Sequence, residues 1–291
     1  MTEQKTVNDP HIVPMSRKTF LRKMMKWVGG LLGLGMGTGL YSYGWERKWL
    51  DVVRVSITIS GLPEGFKGTK LIQFSDVHLG HYFALKELQS VIEVIQSEKP
   101  DLICFTGDMV DEVTRPLFAA VPLFSQLQTP LGKYAVLGNH DYRAGEQQSV
   151  REGLIASGFE VLDNRHVVVN RNGQQLYIAG VDDILHGVPD LPRAMNNIPA
   201  EGTVILLAHE PDFADIASEH PVHLQLSGHS HGGQVRLPFI GHLLAPQYGR
   251  KYVQGLYQVG RMALYTNRGL GTTILPVRLF CRPELTVITL Q

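Results

Sequence analysis

The chain has 291 residues, 44% of them hydrophobic and 19% charged, a balance that excludes a disordered, collagen-like or multi-span membrane protein. Two cysteines exclude a disulfide scaffold and a Cys-rich zinc site, while twelve histidines leave ample material for metal or acid–base chemistry. Lys+Arg and Asp+Glu number 27 each, so the chain is not a polycationic nucleic-acid binder.

The charge balance conceals an asymmetry. Residues 1–50 carry eight basic and three acidic residues, a net of +5, leaving 19 basic and 24 acidic residues, −5, for 51–291. Residues 15–26 contain five basic residues and no acidic one; the next 17 residues are uncharged, apolar and rich in glycine. A basic run before an apolar stretch is a targeting pattern. It is expected to act as an export signal or an uncleaved membrane anchor, with the basic run on the cytoplasmic side and the remainder beyond it. The segment SRKTFLRK resembles the twin-arginine export signal, departing from it at Lys18, where that signal has its second arginine. The export machinery and the membrane are therefore expected partners, and the catalytic domain is expected in the cell envelope. No alanine precedes Ala84, so no Ala-x-Ala cleavage site exists there, and Met15 offers a second candidate start. A solvated charge run on an ordinary helix is the alternative, disfavoured by the glycines.

From residue 52 the chain reads as alternating strands and helices. Val53, Val55, Ile57 and Ile59 alternate with polar residues, the pattern of a half-buried strand. Apolar runs at 70–74, 102–105, 134–137, 204–208 and 222–226 predict further strands. Leu85, Leu88, Val91, Ile92 and Ile95 fall at helical spacing before Pro100. Runs at 167–169, 176–179, 262–266 and 285–290 predict strands without clear helices between them, hence a second sheet. The class is a layered α/β domain.

Metal-competent residues stand just past five of these strands: Asp76-x-His78, Gly107-Asp108, Gly138-Asn139-His140-Asp141, His209, and Gly228-His229-Ser230-His231. Open α/β sheets bind ligands at the carboxyl ends of their strands. Each piece alone is a common turn, but all five in order are not. Carboxylate, amide and imidazole donors suit Mn, Zn or Fe. They are too many for one four-coordinate ion and fit two divalent ions sharing a carboxylate, the arrangement that supports phosphoryl displacement.

These residues resemble the five signature motifs of the calcineurin-like metallophosphoesterases. The continuations GHSHGGQVRLP and TNRGLG resemble the exported or membrane-anchored bacterial branch. The resemblance implies a four-layer α-β-β-α sandwich of two mixed sheets flanked by helices, spanning 51–291. It implies that Asp76, His78 and His231 hold one metal, that Asn139, His209 and His229 hold the second, and that Asp108 bridges them. His140 would protonate the leaving oxygen, Asp141 would orient His140, and a hydroxide between the metals would attack a phosphodiester or phosphomonoester. The alternatives are a pyrophosphatase of the UDP-2,3-diacylglucosamine type, acting on a lipid-linked substrate, and a metal-binding scaffold without turnover. No nucleic-acid partner is expected of a domain with a net charge of −5.

Arg143, Asn267 and Arg268 are candidates for substrate phosphate contact by loop position. Asp111 is read as a loop or solvated residue, and His81 as one that follows the Asp-x-His loop toward the pocket. His11, His166, His186, His220, His223 and His242 match no ligand motif. Asp182-Asp183 reads as a turn, and Cys104 and Cys281 as buried small hydrophobes.

Overall fold

The protein is described here by a computed structural model, which covers residues 15–291 apart from His81, Glu112 and Ala144. The readings of His11 and His81 therefore lie outside the described residues. Contacts divide the chain into two units, one through Tyr41 and one from Ser42 to Gln291. Helix α1 (Arg17–Gly44) runs across the division. Its 28 residues would span roughly 42 Å, which is sufficient length for a bilayer. Its composition is not: five of its first ten residues are basic, and seven glycines dilute the rest. Among the described residues no helix is long and apolar enough to cross a membrane, so the expected anchor finds no support here.

The second unit takes in residues 42–50, ahead of the expected start at 51. The buried Glu46 carboxylate accepts the Cys281 N–H at 2.7 Å, and the Ser42 carbonyl accepts the Arg278 N–H at 3.3 Å.

Strands and helices then follow in chain order: β1 (Asp51–Ile57), β2 (Lys70–Phe74), α2 (Leu85–Glu98), β3 (Leu102–Thr106), α3 (Arg115–Phe124), β4 (Lys133–Val136), α4 (Asn139–Arg143), α5 (Gln147–Ala156) and β5 (Glu160–Val161). After them come β6 (Arg165–Arg171), β7 (Gln174–Gly180), α6 (Leu191–Ala194), β8 (Val204–Leu207), α7 (Ala214–Ala217), β9 (Leu224–Ser227), β10 (Arg236–Leu237), β11 (Gly241–His242), β12 (Gly255–Val259), β13 (Met262–Thr266) and β14 (Glu284–Leu290). One six-stranded sheet has the order β1-β14-β2-β3-β4-β5, and a second has β12-β13-β9-β8-β7-β6. Both are mixed. The first is antiparallel only between β14 and β2, the second only at its two edge pairs. Strands β10 and β11 form a separate small hairpin.

Period-2 alternation sorts the side chains into layers. On β3, Ile103 and Phe105 face a cluster with α2, α3 and α5, while Leu102 and Cys104 face the other sheet. On β8, Ile205 and Leu207 face inward, and Val204 and Leu206 pack under α6, α7 and the 3₁₀ turn Pro211–Phe213. The result is helix, sheet, sheet, helix, the four-layer sandwich expected from the motifs. Helix α2 buries Leu88, Val91, Ile92 and Ile95 as its spacing predicts, and ends at Lys99, which is left-handed (φ 51°) just before Pro100.

Buried polar side chains join the sheets near the strand ends. Gln73 donates to the Ser227 carbonyl at 2.9 Å across the interface and to Thr106 Oγ1 at 3.2 Å. The middle of the sandwich is otherwise apolar, so truncation there leaves a void. Leu207→Ala is expected to cost about 2–5 kcal/mol in denaturant unfolding, whereas Val168→Ala, on the exposed side of β6, should cost less than about 1 kcal/mol.

Candidate metal centre

The five motif segments leave β2, β3, β4, β8 and β9 and meet at one edge of the sandwich. Asp76, His78, Asp108, His229 and His231 all adopt left-handed backbone, with φ between 49° and 67°. Non-glycine residues pay for this conformation, and such residues concentrate at functional sites. Here backbone bonds impose it. Asp76 N–H donates to Gly107 O at 2.9 Å, Val77 N–H to Asp108 O at 2.8 Å, and Gly271 N–H to Asp76 O at 2.7 Å.

The donors converge in three overlapping groups, one of which joins His78 and Asp108 to His140. Asp76, His78 and His231 bring their ligand atoms together, with His231 Nε2 3.3 Å from Asp76 Oδ1 and 3.1 Å from His78 Nε2. Asp108, His209 and His229 form the second group, with His209 Nε2 3.3 Å from Asp108 Oδ2 and 3.2 Å from His229 Nδ1. Asp108 Oδ2 also lies 3.7 Å from His78 Nε2, so this carboxylate stands between the groups. Asn139 is buried, and its Oδ1 has no hydrogen-bond partner.

Outer contacts choose the tautomers. His209 Nδ1 donates to Thr106 O at 2.7 Å, leaving the Nε2 lone pair toward the site. His78 Nδ1 is 3.2 Å from Asp111 Oδ1, again freeing Nε2. For His229 the order is reversed, since Nε2 donates to Gln247 O at 2.8 Å and Nδ1 faces inward. Fixing the remote nitrogen in this way is how proteins aim imidazoles at a cation. Facing lone pairs about 3 Å apart, with an orphaned amide oxygen beside them, are satisfied by cations, so the donor set fits divalent metal ions.

Burial and mutual charge divide the protonation of the cluster. Burial and the neighbouring His209 push the His229 pKa down to about 3, and burial with His78 drives His231 well below the imidazole range, so both are neutral donors. Burial opposes charge on Asp108, yet His209 beside it holds the carboxyl well below its usual value. His209 is correspondingly raised by Asp108 against its own burial. Asp76, without comparable compensation, is raised by burial.

One expected role is corrected. Asp141 does not orient His140. Its fully buried carboxylate accepts four backbone N–H groups: those of Asp108 and Gly138 at 3.0 Å on Oδ2, and those of Met109 and Val110 at 2.9 and 3.1 Å on Oδ1. Asp141 therefore fastens the loop after β3 to the start of α4. The partner of His140 is Asp111, whose Oδ1 lies 2.9 Å from His140 Nδ1 and also meets His78 Nδ1. Asp111 stands three positions after Asp108, and nothing in linear spacing distinguishes it from a solvated loop aspartate. Burial would lower the His140 pKa, but Asp108 and Asp111 outweigh it and raise it.

Of the phosphate-contact candidates, Arg143 lines the groove beside His140. Arg268 instead pairs with Glu284 and Asp51, and Asn267 Nδ2 donates to Thr286 Oγ1 at 2.7 Å, so both are structural. Asp182 and Asp183 make a turn, accepting N–H groups from Val188, Leu185 and His186. Cys104 and Cys281 are buried free thiols.

A layered α/β sandwich with this donor cluster defines a metallophosphoesterase, a hydrolase of phosphoric esters. The calcineurin-like phosphoesterase family model matches residues 69–233, more than half of the chain, and the chain belongs to that family. Similar proteins include the uncharacterized metallophosphoesterase YkuE of Bacillus subtilis, 40% identical over 95% of this chain and 98% of its own length. The phosphodiesterase YaeI of Escherichia coli is 31% identical over 95% and 99%. A zebrafish transmembrane protein with a metallophosphoesterase domain is 35% identical over 82% of this chain and 57% of its own length.

Asp141→Ala leaves four buried N–H groups without an acceptor, so a loss of more than about 3 kcal/mol is expected, with reduced metal content by elemental analysis. Asp111→Ala keeps those four bonds and is expected to melt closer to the wild type.

Proposed function

We propose that this chain hydrolyses phosphodiesters with two divalent cations, one held by Asp76, His78 and His231, the other by Asn139, His209 and His229, with Asp108 reaching both. The observation that carries this reading is the two inward-facing donor groups, with His78 of one 3.7 Å from Asp108 of the other and the unpartnered Asn139 Oδ1 on the same groove. Two such ions, Mn, Zn or Fe by donor chemistry, polarise phosphoryl oxygens and make water nucleophilic near neutral pH.

The chain's own residues supply the rest. His140 lines the groove, and its Nδ1 is taken by Asp111, so Nε2 is the nitrogen presented to substrate. Two carboxylates favour its charged form, which suits it to protonate the leaving oxygen. Arg143 offers guanidinium donors to the non-reacting oxygens.

The assay is bis-p-nitrophenyl phosphate turnover by the full chain. EDTA treatment is expected to abolish it and Mn or Zn to restore it. Asp108→Ala should lose metal and activity together. His140→Ala should keep both metals and lose about 10²–10⁴-fold in kcat. Asp111→Ala, at saturating metal, should lower kcat more than it raises KM. Metal-independent turnover, or a fully active His140→Ala variant, would overturn the assignment. Two bound metals with no turnover of any ester would favour the scaffold reading.

The N-terminal segment supports a second part of the proposal, that it is an export signal of the twin-arginine type and that the catalytic domain works in the cell envelope. Arg17→Lys removes the one remaining arginine of the pair. It is expected to leave the protein in the cytoplasmic fraction, while the wild type fractionates with the envelope.

A further inference from the structure

The groove above the metal centre is walled by hydrocarbon. It has a volume of about 650 Å³, with Asp108, Asn139, His140, His229 and His231 on its polar side. Its walls come from two loops that carry Leu243 and Leu244 on one and Ile274, Leu275 and Val277 on the other. Leu244 is 81% exposed, Ile274 84% and Leu275 60%. Contiguous exposed apolar surface of this kind marks a ligand or interaction site. Ile274, a β-branched residue, holds φ 61°, a costly conformation for it.

Both walls are bolted to metal-ligand loops. Gln247 O accepts the His229 Nε2 proton, which ties the 243–247 wall to one ligand. Gln234, three residues past His231, donates to Thr273 O at 3.1 Å and Leu275 O at 2.9 Å and accepts the Thr273 N–H at 3.0 Å. Walls and metal centre are thus one built unit, and whatever fills the groove touches both. An alkyl chain covalently attached to the reacting phosphate does so in a single binding event. A small hydrophilic ester would leave the walls in water.

We infer that the substrate is an amphiphilic phosphodiester whose alkyl chain lies between the 243–247 and 273–277 loops while its phosphate sits at the metal centre. This rests on the phosphodiesterase reading above and narrows it to one chemical class.

The test is a series of alkyl p-nitrophenyl phosphates, methyl to decyl, each below its micellar concentration, with the full chain and Mn. The leaving group is constant, so only the chain varies. kcat/KM is expected to rise about two- to fourfold per methylene until the groove is full. Leu244→Asn with Ile274→Asn, both largely exposed and so compatible with folding, should flatten that slope. Turnover of the methyl ester with no dependence on chain length would overturn the groove assignment and leave the phosphodiesterase reading intact. A slope unchanged in the double variant, or one seen only with phosphatidylcholine vesicles added, would also overturn it, the latter in favour of a bilayer surface. Hydrolysis of no member would sink the phosphodiesterase reading and the substrate class with it.

Discussion

At one edge the backbone of one sheet meets the side chains of the other, and the site exists because it does. Gly228, just past β9, sits where a Cβ would lie 1.8 Å from Ser75 Oγ and 2.3 Å from Asp76 Oδ2. Only glycine allows this approach. Across the joint, both oxygens of Asp76 accept the His229 N–H, at 3.1 and 3.0 Å, and Gln73 bonds the Ser227 carbonyl. Donors from different sheets thereby come within bonding distance of common points. Gly107 and Gly138 play the same part around Asp108 and His209, where any side chain would strike the ring or the carboxylate.

That closeness has an electrostatic cost. Two carboxylates and four imidazoles share a buried volume, and the pKa values of Asp76, Asp108, His209, His229 and His231 are driven apart as a result. Divalent cations bound here would relieve the conflict by taking the lone pairs that otherwise face one another. Metal binding confined to the folded state would couple stability to function. The strained left-handed residues belong to the same arrangement, because the surrounding hydrogen bonds hold conformations that the isolated loops would leave.

Buried carboxylates divide the supporting work. Asp141 acts on backbone, gathering the N–H groups of two loops. Asp111 acts on side chains, setting the orientation of His78 and His140 from one oxygen. Arg278 completes the frame from the other side. Fully buried, it donates to the carbonyls of Arg268, Gly269, Gly271 and Cys281 and holds that loop against Asp76. None of these three is a proposed metal ligand, yet each holds a part of the donor cluster in place.

The sequence by itself determined the longer strands, the α/β class and which metal-competent residues stand past the strand ends. Alternating apolar runs need one buried face, and a polar donor just past such a run emerges at the sheet edge whatever the rest of the chain does. Thus β2 and β13 fall at the expected residues, and Asp76, His78, Asp108, Asn139, His209, His229 and His231 stand where their strands end. Short elements such as β5, β10 and β11 were not legible, because two-residue strands carry no periodicity and are set by the partner they pair with. Only the tertiary structure decided which carboxylate serves His140. Linear sequence favours Asp141, adjacent to His140, over Asp111, read as a loop residue, and the choice depends on the direction each takes from its loop in three dimensions. The same holds for the apolar groove: Leu244 and Ile274 lie thirty residues apart, and only the Gln234 and Gln247 contacts turn two exposed loops into walls on either side of one metal centre.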